Sequence, residues 1–199
     1  MKRGSLFSFA YAAVAVAIQM SCSPATLAKQ PSVVILAPDE GEQLTRRWGY
    51  PMTIKVSPAT SGSKDFSIGT EDIPPGHAIP PHRHPDMEEV VVVMSGVVEA
   101  RIGEQVRKVS TGGLVFAPSN TWMNIANKTN STATVMWIFP KPGFEEYVRA
   151  TSVPAGQPVI PITPAELKAI RSKYNHCIEL QAPSGAAYPT SASNTIILH

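Results

Sequence analysis

The stretch PPHRHPDMEEVVVVMSG, residues 80–96, decides how this chain is read. Its second half, EEVVVVM (88–94), is a continuous β-branched run, the pattern of a strand covered on both faces. Its first half places His82 and His84 two residues apart. In an extended chain residues i and i+2 share a face, so the two imidazoles project together and Arg83 points the other way. Two converging imidazoles suit a divalent metal ion, with a carboxylate from a neighbouring element to close the site. Glu88 and Glu89 are both candidates. They face opposite ways in a strand, so only one can join the histidines.

Outward from this stretch the chain is a series of short β-like runs. MTIKVS (52–57), DFSIGTEDI (65–73), VVEARI (97–102) and QVRKV (105–109) alternate, with Phe66, Ile68 and Ile73 as the apolar positions of the second. LVFAP (114–118) and ATVMWIF (133–139) complete the set, and Gly103-Glu104 marks a tight hairpin. Nineteen prolines argue against long helices. Close strand spacing with Gly and Pro between runs predicts an all-β sandwich or small barrel over residues 48–140, preceded by a lead-in at 29–47. Residues 141–181 form a C-terminal extension, proline-punctuated apart from a helical turn at Phe144–Val148. Its one convincing helix covers 163–174: Thr163 is the N-cap, Pro164 follows it and Glu166 completes a capping box. Leu167, Ile170 and Tyr174 share a face, which packs this helix on the outside of the barrel. The Ser-, Ala- and Pro-rich segment 182–199 reads as a loose tail.

Residues 1–28 have the form of a signal peptide. Lys2 and Arg3 precede an apolar stretch too short for a membrane span, and Thr26-Leu27-Ala28 ends in small residues at a plausible cleavage point. The expected product is exported, periplasmic or secreted, with no membrane span; a lipoprotein through Cys22 is the weaker alternative. Removal of Lys2 and Arg3 reduces 17 bases to 15, against 15 acids. A neutral mature chain gives no support for nucleic-acid binding. Cys177 is then the single cysteine, and a buried small side chain is the reading adopted for it over a catalytic thiol.

The spacing Gly76-x5-His82-x-His84-x4-Glu89-x6-Gly96 resembles the first signature of the cupin superfamily, with every named position matched. After a spacer of 15 residues from Gly96, Gly112-x5-Pro118-x-Asn120-x2-Met123-x3-Asn127 resembles the second signature at three of five positions. Asn120 replaces a glycine, a mild change because asparagine tolerates left-handed backbone. Met123 replaces the histidine that usually supplies a fourth ligand. The resemblance implies a small jelly-roll β-barrel, of the kind found in single-domain quercetinase-like cupins. It implies metal ligation by His82, His84 and Glu89, and selects Glu89 over Glu88. Homodimerisation is a further expectation from the resemblance alone.

Two histidines and a carboxylate leave coordination positions open, as in the facial triad of ferrous oxygenases. The four-ligand set of oxalate-degrading cupins is absent. Fe(II) is therefore the first expectation for the cofactor, with Mn, Cu, Ni or Zn as alternatives. Trp122, Met123, Phe116 and Met94 are candidate pocket residues for a small aromatic or enolic ligand. For Phe116 and Met94 barrel core is the simpler reading. Two functions follow: a metal-dependent dioxygenase, or a cupin that binds a metal or small molecule without turnover. The fold alone does not choose between them.

Overall fold

The computed structural model describes residues 30–181. The predicted signal peptide and tail lie outside them. Twelve strands and three short helices run in the order β1 (Glu42–Arg46), β2 (Pro51–Val56), α1 (Pro58–Ser61), β3 (Ser67–Ile73), β4 (Ala78–Arg83), β5 (Glu89–Ser95), β6 (Val97–Ile102) and β7 (Gln105–Ser110). Then come β8 (Leu114–Ala117), β9 (Met123–Ala126), β10 (Ala133–Phe139), α2 (Phe144–Ala150), β11 (Ser152–Pro154), α3 (Pro164–Tyr174) and β12 (Glu179–Leu180). One sheet has the order β11-β1-β2-β3-β10-β5-β8 and the other β12-β4-β9-β6-β7. All pairings are antiparallel, and Ile73, Val91, Val93, Val98, Val115, Ile125 and Val135 from both sheets form one shared core. This is the all-β jelly-roll barrel expected from the sequence.

The barrel draws strands from outside the 48–140 interval. Residues 42–46 of the supposed lead-in form β1, and the C-terminal extension supplies β11 beside β1 and β12 beside β4. These strands are two to five residues long, too short to show a period. Helix α3 has the predicted capping box, with Thr163 Oγ1 accepting from the Glu166 amide and Glu166 from that of Thr163. Its Tyr174 joins Tyr147, Phe144, Phe139 and Trp137 in a second buried cluster under the extension. The helical turn expected at Phe144–Val148 is thus an inward-packed helix, α2.

In β3 the buried face is Ser67, Gly69, Glu71 and Ile73, so the expected apolar positions Phe66 and Ile68 point outward. Packing overrides apolarity here. Gly69 pairs with Trp137 on β10, and a Cβ at Gly69 would stand 2.2 Å from the indole. Only glycine lets the ring lie across the strand, and that fixes the phase of all seven residues. The result is a glutamate, Glu71, aimed into the barrel.

Asn120 is the one non-glycine residue with positive φ (61°) among those described, in the role its motif position demands. Its amide donates to the His84 carbonyl at 2.7 Å, so this turn also holds the second histidine's backbone. Asn120→Gly should change stability by less than about 1 kcal/mol. Asn120→Val should cost roughly 1–2 kcal/mol from left-handed strain. Urea denaturation of both variants checks this.

Candidate metal centre

His82 lies near the end of β4 and His84 just beyond it; both are buried while Arg83 turns outward to Glu179. Glu89 opens β5 with its side chain inward, and Glu88 is exposed. The structure brings His82, His84 and Glu89 together, with one potential ligand atom from each within 4.8 Å of the others. Glu89 Oε2 stands 3.3 Å from His84 Nε2 and 3.6 Å from His82 Nε2.

The backbone sets the tautomers. His82 Nδ1 lies 2.7 Å from the Pro80 carbonyl and His84 Nδ1 2.6 Å from that of Cys177. A carbonyl only accepts, so each Nδ1 carries the proton and each Nε2 presents a lone pair to the centre. His84 is further held edge-on by Phe139 and Phe144, at centroid distances of 4.6 and 5.4 Å. Burial alone disfavours charge on Glu89, but hydrogen bonds and positive charge from the two histidines in their doubly protonated form outweigh it and hold its pKa down at about 2. Burial likewise disfavours charge on His82, and contact with Glu89 outweighs it to give a raised pKa. His84 Nε2 and Glu89 Oε2 are buried without a hydrogen-bond partner. Orphaned lone pairs of this kind, facing one another on fixed side chains, fit a divalent cation.

Met123 is the direct cross-strand partner of His82 and only 2% exposed, so it sits on the inner face beside the site. Asn124 faces away and donates to the Ile79 carbonyl. The other proposed pocket residues are corrected by the structure. Met94 (47% exposed), Phe116 (48%) and Trp122 (36%) lie on the outside of the barrel. In β8 the alternation buries Val115 and Ala117 and so turns Phe116 out. Trp122 precedes Met123 and takes the opposite face, where Arg83 stacks on it at 4.9 Å.

The cavity that reaches the site lies elsewhere. It has a volume of about 280 Å³ and is lined by His82 and Glu71, by residues 46–49 at and after the end of β1, and by the C-terminal extension; of the three ligand candidates His82 alone lines it. Sequence reasoning missed Glu71, Arg46 and the extension's part in this cavity. The one available signal was the Gly69–Glu71 alternation, masked by the apolar residues on the other phase. Burial raises the Glu71 pKa to about 7, against the lowering effects of Arg46 and His82. Cys177 is buried, with its thiol pushed up to about 12 by burial, and it serves the site through its backbone carbonyl. His176 is exposed.

Residues 69–139 match the family model described as a cupin domain. Among solved structures, the chain is similar to a cupin-superfamily sugar phosphate isomerase from Silicibacter pomeroyi (16% identity, 55% of this chain and 77% of that one, TM-score 0.48). It is also similar to a predicted oxalate decarboxylase from Thermotoga maritima (15% identity, 55% and 100%, TM-score 0.49). A Thermus thermophilus protein shares 24% identity over 40% of this chain and 75% of its own, with a TM-score of 0.38. No curated protein matches the sequence.

Proposed function

We propose that the chain, whose residues 69–139 match the cupin-domain family model, is a mononuclear metal-dependent dioxygenase acting on a small organic molecule in the cavity beside His82. The observation that carries this reading is the convergence of two tautomer-fixed histidines and one buried carboxylate, with His82 among them lining a cavity. A ferrous ion held by His82, His84 and Glu89 would supply dioxygen and substrate activation at its open positions. The protein's own contribution is placement. The carbonyls of Pro80 and Cys177 orient the rings, Phe139 and Phe144 exclude water behind His84, and Glu71 can hold or take a proton at the cavity wall.

Substrate-dependent oxygen uptake by iron-loaded protein tests this reading across flavonols, β-diketones and catechols. Uptake above that of an equally loaded Glu71→Gln variant supports it. Metal retention without uptake on any of them replaces it with a non-catalytic binding function. Met123→His should add a fourth imidazole beside His82. The expected result is slower metal loss to a chelator, together with reduced oxygen uptake as an open position closes.

Two wider readings accompany this one. Export through residues 1–28 is testable by N-terminal sequencing of the mature protein, with Lys29 expected first. No helix among the described residues is long and apolar enough to cross a membrane. Homodimerisation is supported by Met94, Leu114 and Phe116, which are exposed together around edge strand β8. Phe116→Glu should shift a dimer to monomer in sedimentation equilibrium.

A further inference from the structure

Arg46 ends β1 with its side chain inside the barrel wall, 4% exposed. Its guanidinium carbon lies 4.1 Å from the ring centroid of Trp48 and 5.2 Å from that of Tyr147. Nη1 touches only the Met52 thioether, at 3.9 Å, and Nε is buried without a hydrogen-bond partner. Among the described residues no carboxylate stands within ion-pairing distance of it. Its neighbour Arg47, which lines the same cavity, is by contrast fully engaged, bonded to the Ile160 and Pro161 carbonyls and to Glu166.

Glu71 acts on Arg46 only at longer range, and a buried cation without a direct anionic partner is costly; folded proteins keep one where something else completes it. Trp48 and Tyr147 hold the guanidinium by cation–π contact, which uses none of its N–H groups. Those groups suit a carboxylate bound through both oxygens. Arg46 lines the same cavity as Glu71 and His82, and the other walls there include Met52, Ile79, Phe144 and Leu167. We infer that this cavity takes a small organic carboxylate, its anionic group on Arg46, its apolar body against Ile79 and Phe144, and its far end directed to His82. This names the substrate class for the metal centre proposed above and rests on that reading for what happens at the far end. A neutral ligand leaves the guanidinium with no anion in direct contact, so the site discriminates by charge.

The test is calorimetric titration of the purified protein with benzoate, phenylacetate and hexanoate, each beside its primary amide. At least one acid is expected to bind about tenfold tighter than its amide. Arg46→Met should reduce that preference to less than about twofold while retaining wild-type metal content, and Arg46→Lys should keep part of it. Acid and amide binding equally, no acid binding at millimolar concentration, or an undiminished preference in Arg46→Met would each overturn the assignment. Loss of metal from Arg46→Met would do so too, by making the residue structural. The acid–amide comparison uses the unaltered protein and so stands even if a variant fails to fold. Metal content of a His84→Ala variant, measured in parallel, reports separately on the metal centre.

Discussion

The His84→Ala protein is expected to be purified essentially without the metal that the wild type retains. The substitution removes one of three ligand atoms and leaves Glu89 and His82 unable to close a site alone. Loss of a partner that merely orients a ligand costs 10–100-fold in metal affinity, and loss of the ligand itself should exceed about 100-fold. His84 also packs on Phe139 and Phe144, so a lower melting temperature accompanies the change. Glu89→Gln separates the two effects, because it keeps the side-chain shape and removes the charge. Paired with Glu88→Gln it tests the face assignment: the first should lose metal and the second, on an exposed residue, should not. Elemental analysis after dialysis against a weak chelator reads both.

The second large effect is a pH dependence seated at Glu71. Burial raises its pKa to about 7 in the fold, from 4.5. Below pH 4.5 folded and unfolded chains both carry the proton. Between there and neutrality the unfolded chain releases it and the folded chain keeps it, so stability falls with rising pH. Above pH 7 the folded state is less stable by roughly 3 kcal/mol than if the group titrated normally. Glu71→Gln removes this penalty. In urea denaturation of metal-free protein its advantage should be largest at pH 8 and near zero at pH 4. A variant equally displaced at both pH values would contradict the account.

Much of the barrel was legible because its strands obey simple rules. The valine run of β5, the Gly103-Glu104 hairpin and the alternating β10 lie where periodicity places them. The three metal-ligand candidates were readable from spacing and family resemblance, and Asn120 from the tolerance of asparagine for left-handed backbone. The cavity was not. It is built by short strands β1 and β12 and by an extension that meets the barrel across more than a hundred residues of chain, as when Arg47 bonds Pro161. Long-range closure of that kind leaves no local period. Arg46 looked like an ordinary charge in a mixed lead-in, and Glu71 was hidden because Gly69, not apolarity, sets the phase of β3. Met94, Phe116 and Trp122 mislead for the same reason: large apolar residues on a barrel's outer face look like pocket or core residues until the facing side is known.

The central claim is that His82, His84 and Glu89 together hold one metal ion. X-ray absorption of the iron-loaded protein tests it most directly. The account predicts a first shell of nitrogen and oxygen only, with the multiple-scattering signature of two imidazoles, a signature that His84→Ala, unable to retain the ion, should lack. A sulfur scatterer from Met123 or Cys177, or a spectrum unchanged by His84→Ala, would contradict it.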